Sequence, residues 1–305
     1  MKMKKFIAVL SMVAMIGTLA VGCGKSNEES KGEDAKTEAN GDWDSSMDIT
    51  IVSREDGSGT RGAFIELFGV EEKQGDEKVD MTTEEAQITN STSVMLTTVA
   101  GDEYAVGYVS LGSLDDSVKA VKIDGAEATA ENIKNGSYKV SRPFNIATKK
   151  DLDNEVAKDF INFIMSKEGQ EVVAENGYIG DDSAAAFSGS NPSGKVVVGG
   201  SSSVSPVMEK LIEAYKAVNA NAEIELQTTD STTGMTSVAD GICDIGMASR
   251  EVKEEELAKG LKATVIATDG IAVIVNKANT LDDITSDQVK SIYVGDALSW
   301  DEIIK

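Results

Sequence analysis

Three times along this chain an apolar strand runs into a loop of glycine, serine and threonine and then into a helix: at residues 53–61 (SREDGSGTR), 199–206 (GGSSSVSP) and 228–234 (TTDSTTG). Junctions of this kind belong to open α/β sheets, where ligands bind outside the carboxyl ends of the strands. At those ends the first turn of each helix presents free N–H groups and a partial positive charge. Together the three junctions predict an oxyanion cradle.

The hydrophobic pattern supplies the elements around them. Strands are expected at 49–52, 105–111, 118–123, 195–198, 222–226, 244–248 and 263–275, the last apolar enough to be buried on both faces. Helices are expected from Arg61 with Phe64, Ile65, Leu67 and Phe68, and over 207–218 with Met208, Leu211, Ile212 and Tyr215 facing inward. A short one should run to about Ala239. Residues 151–173 read as one long amphipathic helix with Val156, Phe160, Phe163, Ile164 and Val172 on one face. Strands alternating with helices imply largely parallel sheets.

At 305 residues and 41% hydrophobic content the chain can build two modest cores. Its first segment is set apart: Lys2, Lys4 and Lys5 precede an apolar run to Ile16, then small residues and Cys23. That is the pattern of a secretory signal, 1–22, and Ala20, Val21, Gly22 and Cys23 resemble a lipobox, in which the cysteine is cut free and lipidated. The run is too short to cross a bilayer, which needs about 20 apolar residues. Residues 23–46 have almost nothing to bury and read as a disordered tether, and 181–194 (DDSAAAFSGSNPSG) as a linker between sequence halves.

Several function classes recede on composition. The chain has no histidine, the commonest general base and metal ligand. With Cys23 lipidated, only Cys243 is left, so an intramolecular disulfide is excluded and Cys243 is expected to be buried. A net charge of −23 argues against nucleic acid and anionic membrane surfaces. It does not exclude an anionic ligand: surface fields are screened over about 8 Å, while N–H groups and a buried arginine act at contact.

The first junction carries most chemistry. Arg54 follows its strand directly, and Asp56, two residues on, is placed to hold the guanidinium. Gly57 and Gly59 permit close backbone approach, and Ser58 and Thr60 offer hydroxyl donors, a set that suits phosphate or sulfate. A helix cap with a surface ion pair would carry the same letters, and serine-rich caps such as 199–206 are common. No GK[ST] follows any of these glycines, which excludes a P-loop.

SREDGSGTR, GGSSSVSPVM, DSTTGM and DIGMASR together resemble the PstS-type family, the phosphate-binding proteins of the phosphate ABC importer. The resemblance spans nearly all of the chain after the tether. It implies a two-lobed type II periplasmic-binding-protein fold, with a mixed, mostly parallel sheet in each lobe and two hinge crossovers. It also implies that phosphate is bound between the lobes and handed to the permease subunits of an ABC importer, with no cofactor and no metal, by a protein that is by default a monomer. By resemblance Ser203 donates its hydroxyl and Val204 its backbone N–H, Ser231 makes the next contact, Arg54, Ser58, Gly59 and Thr60 match the remaining donors, and Asp56 orients the arginine.

Two departures stand out. The family's usual chain begins with the GSSSV strand, whereas here SREDGSGT comes first, and 284–303 resembles the segment that leads into it. The order is that of a circular permutation, which requires the two ends of the folded part to meet on one lobe. On that scheme lobe one is 47–144 plus 280–305 and lobe two 145–279, with crossings near 145–148 and 275–279. Second, family members carry an aspartate, after the serine matched by Ser249, that accepts the proton of hydrogen phosphate; here Arg250 stands there. Asp56, Asp230 and Asp269 are the carboxylates left for that role, and Arg250 either borders the ligand or is a solvated charge. The alternatives are a binder of sulfate or molybdate, a phosphate-sensing module, or a phosphoryl-transfer protein using Ser58 or Ser203 as nucleophile.

Overall fold

The structure, a computed structural model, describes residues 43–75 and 77–304, within one compact unit, Asp42–Lys305. The expected signal 1–22, Cys23 and nearly all of the tether lie outside the described residues.

A nine-stranded sheet runs through the molecule in the order Ala222–Thr229, Gly194–Ser201, Ile245–Ala248, Ser141–Lys149, Leu261–Val275, Ala105–Ser110, Thr50–Arg54, Gln87–Thr89, with Lys119–Ala120 also pairing with Leu261–Val275. The first trio is parallel within itself and so is the last. Between them Ser141–Lys149 and Leu261–Val275 run antiparallel to each other and to their outer neighbours. The sheet is therefore mixed, as expected, with one parallel trio at each end.

Two large hydrophobic cores share this sheet, beside a smaller third cluster of Met235, Val238, Cys243 and Leu261. One packs Phe64, Tyr108, Ile271, Ile274, Tyr293 and Trp300; the other packs Phe144, Phe160, Phe163, Tyr215, Ile245 and Ile266. Leu261–Val275 serves both, since residues 261–270 pair with Ser141–Lys149 and 271–275 with Ala105–Ser110. The cores thus change hands at 141–143 and 268–270. The apolar strand that suggested burial on both faces runs from one core into the other.

The long helix expected over 151–173 is two, Glu155–Ile164 and Lys167–Glu175. Ser166 caps the second by accepting from Gly169 N, and a Cβ at Gly169 would lie 2.1 Å from the Phe163 carbonyl. The apolar period continues through the break, so periodicity alone hides it. Residues 181–193 do not divide the cores, because both neighbours, Lys167–Glu175 and Gly194–Ser201, pack into the second. They are pinned to it, with Ser190 N donating to Asp159 Oδ1 at 2.9 Å.

The described ends meet. Ile49 N donates to Leu298 O at 2.8 Å, Trp300 N to Met47 O at 3.2 Å, and the Trp43 and Trp300 rings lie 5.8 Å apart. This is the closure that a permuted order requires.

Candidate functional site

Each parallel trio ends where the two cores face one another, and that edge builds the site. On the first side Thr50–Arg54 and Ala105–Ser110 end in parallel, with Ser53 Oγ 2.9 Å from Tyr108 Oη and Arg54 N donating to the same phenol at 3.2 Å. Burial pushes that phenol up to about 12, so it stays a neutral brace.

Arg54 is 2% exposed. Its Nε and Nη2 each donate to Glu55 at 2.8 Å, and Nη2 also reaches Ser202 Oγ at 3.1 Å. The orienting carboxylate is therefore Glu55, not Asp56. The chain turns after Arg54, with Ser58 N donating to Glu55 O at 2.9 Å, and the turn throws Asp56 outward. The Asp56 side chain is 97% exposed and pairs with Arg61 Nη1 at 2.8 Å.

Ser58 caps the helix Gly59–Leu67, accepting from Arg61 N at 3.3 Å. Thr60 Oγ1 lies 2.7 Å from Ser203 Oγ and 3.4 Å from Ser249 Oγ, which joins the two sides. Gly59 and Gly57 make this approach possible. A Cβ at Gly59 would lie 2.4 Å from Ser231 Oγ, and one at Gly57 2.3 Å from Asp230 Oδ1.

On the second side Gly194–Ser201, Ala222–Thr229 and Ile245–Ala248 end beside Ser203, Ser231 and Ser249. Ser203 Oγ meets Thr60 and, at 3.2 Å, Thr92 Oγ1. The Val204 N–H, expected to face a ligand, donates to Ser201 O at 3.0 Å, because residues 201–204 close a turn ahead of the helix Ser205–Val218. Ser231 begins the helix Ser231–Ala239 and accepts from Ser249 N at 3.1 Å.

The other acidic candidates are engaged elsewhere. Asp230 caps Ser231–Ala239 through Thr233 N at 2.9 Å. Asp269, 1% exposed, receives Arg142 Nη2 at 3.0 Å and Ser110 Oγ at 2.8 Å, and burial nonetheless pushes it up to about 6. Arg250 is neither solvated nor turned to the cradle: both terminal nitrogens bind Glu256, at 2.9 and 2.8 Å, while its carbonyl accepts from Asn145 Nδ2 at 3.0 Å.

Sequence reading missed Thr92, whose backbone N–H donates to Ser202 Oγ at 3.3 Å from the start of the helix Thr92–Gly101. The signal was there in Asn90, Ser91, Thr92 and Ser93 ahead of an apolar run, a capping pattern like the other three. Arg54, Thr60, Thr92, Ser201, Ser202, Ser203, Ser231 and Ser249 are all buried and drawn together, with the first turns of the helices Gly59–Leu67, Thr92–Gly101, Ser205–Val218 and Ser231–Ala239 around them. One guanidinium among hydroxyls and helix N-termini suits a tetrahedral oxyanion. Within the described residues neither Ser58 nor Ser203 bonds a base able to activate it, and no group of three acidic, cysteine or histidine residues is placed to hold a metal.

The chain is similar to proteins already known. A family model described as the PBP superfamily domain matches residues 14–168 and 185–304. Phosphate-binding protein PstS 2 of Streptococcus agalactiae is 55% identical over 308 residues, covering 100% of both chains. The protein of that name from Streptococcus pneumoniae is 41% identical, over 99% of this chain and 100% of its own. A solved phosphate-binding protein of a phosphate ABC transporter from Streptococcus pneumoniae TIGR4 superposes with a TM-score of 0.66 at 44% identity, over 84% of this chain and 100% of that one. The chain belongs to the PBP superfamily and, within it, to the family of the PstS phosphate-binding proteins.

Proposed function

We propose that this chain is an extracytoplasmic solute-binding lipoprotein that closes two lobes on inorganic phosphate and delivers it to the permease of an ABC importer. The observation that carries the reading is the meeting of Arg54 with buried hydroxyls from both sides, above all Thr60 with Ser203 at 2.7 Å. Lobe one is the first core, 43–140 with 271–304, and lobe two the second, 144–267. The hinge is 141–143 with 268–270, where Pro143 lacks an N–H, and the ladder slips just ahead of it, between Val265 and Ala267. Arg54, Thr60, Ser203 and Ser231 hold the anion by side chain. Ser58 and Gly59 hold it through the helix start, and Val204 contributes only if its turn opens. Ser249 joins them, while Arg250 braces Glu256.

Among the described residues no helix is long and apolar enough to cross a membrane. Attachment falls to Cys23: labelled palmitate should enter the protein in cells and be lost from Cys23→Ala, with the protein released. The protein acts as a monomer.

Titration calorimetry of the anion-stripped protein lacking residues 1–23 tests the reading. Tight phosphate binding is expected, and no heat with phosphate would sink it. A second reading, a wider oxyanion specificity, is favoured by one finding: Glu55, Asp56, Asp230 and Asp269 are each held by another partner, so no carboxylate is reserved for the proton of hydrogen phosphate. Comparable sulfate affinity would establish that alternative.

A further inference from the structure

The ligand edge of the first core does not stop at Arg54. Its neighbour strand ends in Ser110, which donates to Asp269 on the next strand, and Asp269 is the direct partner of Arg142 on the one after. At about 4.8 Å per strand, Arg142 stands roughly 14 Å along the edge from Arg54.

Arg142 is 4% exposed, and its orientation is fixed by two bonds to Asp269 Oδ2, from Nε at 3.2 Å and Nη2 at 3.0 Å, with its guanidinium 5.4 Å from the Phe144 ring centre. The third nitrogen, Nη1, is shut off from solvent and has no hydrogen-bond partner. Among the described residues it shares that condition only with Ser113 Oγ, Tyr178 Oη and Asn279 Nδ2, and none of the cradle hydroxyls is in it. A buried donor of a charged group left unpaired costs more than a neutral one, so the position calls for an acceptor.

The acceptor should be anionic. Burial above all, with a smaller push from the like charge of Arg54, outweighs the opposing pull of Asp269 and holds Arg142 below the usual guanidinium range. Two cations sensing one another in a buried space are relieved by an anion between them. Arg142 also lines, with Gly62, Pro143, Arg250 and the acidic Glu66, Glu71 and Glu251, a groove of about 510 Å³ between the lobes. Gly62 lies on the helix that begins at the cradle, and the Arg250 side chain passes 3.1 Å from where a Gly59 Cβ would be.

We propose that Arg142, from the hinge, is a second arginine contact of the bound oxyanion, donating through Nη1 while Asp269 holds the rest of its guanidinium in place. This rests on the phosphate-binding reading above. It makes the hinge strand a sensor of occupancy, since the group that touches the anion is paired across the strand that must bend.

Calorimetry on Arg142→Gln and on the double variant Arg142→Gln/Asp269→Asn separates this from a structural role. The double variant replaces the ion pair by two neutral amides, which keeps the fold accessible if the single variant unfolds. If Arg142 is a ligand donor, both variants bind phosphate about 10- to 100-fold more weakly than wild type, the range for losing a charged hydrogen bond. Restoration of wild-type affinity in the double variant would show that Arg142 serves only to neutralise Asp269, and would overturn the proposal. So would a phosphate-bound crystal structure in which Nη1 lies out of hydrogen-bond reach of the anion. Failure of the wild type itself to bind phosphate would overturn the functional reading; unchanged affinity in the variants beside a tight wild type would overturn only Arg142.

Discussion

Two nitrogens of Arg54 are committed to Glu55, and that fork decides where the guanidinium can point. Glu55 keeps 22% of its side chain exposed while Arg54 keeps 3%, so losing the carboxylate strands a buried cation, a change worth about 3–5 kcal/mol when a fully buried pair is broken and less here. Asp56 sits in water against Arg61, and exposed pairs of that kind contribute about 0–1 kcal/mol. Glu55→Ala should therefore weaken phosphate binding at least about tenfold, whereas Asp56→Ala should leave it within about fivefold. Titration of both variants checks the assignment, and the reverse order would return the orienting role to Asp56.

Each loop of the cradle sits between a strand end and a helix start, and two of its glycines face the opposite lobe. A Cβ at Gly59 would lie 2.4 Å from Ser231 Oγ and 2.8 Å from Ser249 Oγ, both across the cleft, so the strain of Gly59→Ala falls on closure. Overpacking of this size costs about 1–3 kcal/mol, which predicts roughly 5- to 150-fold weaker phosphate binding with little change in the melting temperature of the ligand-free protein. A large loss of melting temperature would place the contact in the unliganded fold instead. These loops were legible in the sequence because several of them occur together at strand ends, whereas any one alone reads equally as an ordinary helix cap. The carboxylate beside Arg54 was not, because a turn, invisible to spacing, decides whether residue 55 or 56 faces inward. Residues 141–149 (SRPFNIATK) escaped notice as a strand because Pro143 and scattered polar side chains break the alternation, yet that strand carries the hinge and Arg142. Residues 151–173 misled in the opposite way: one apolar stripe spans Glu155–Ile164 and Lys167–Glu175, and only Ser166 with Gly169 marks the gap.

A net charge of −23 and an anionic ligand coexist because the cations that matter are buried at the seam of the molecule, and the hinge is where that arrangement is most costly. Asp269 lies 1% exposed between the two cores, facing Arg142, Ser110 and the Gly112 N–H, with the Tyr138 and Tyr178 phenols nearby. Burial outweighs these partners and lifts its carboxyl from 3.8 to about 6. The folded protein therefore binds the proton more tightly than the unfolded chain does. Its contribution to stability is fully present below about pH 4 and is lost as pH rises through about 6, by up to about 3 kcal/mol at 1.36 kcal/mol per unit. Asp269→Asn cannot titrate, so the stability of wild type relative to that variant should fall between pH 4 and 7 and then level off. Urea unfolding of both proteins at pH 4.5, 5.5, 6.5 and 7.5, without phosphate, measures that difference directly. A difference that rises with pH would mean that Arg142 and Ser110 outweigh burial and hold Asp269 ionised throughout. The hinge would then be a permanently charged clasp, and its bending would be independent of external acidity.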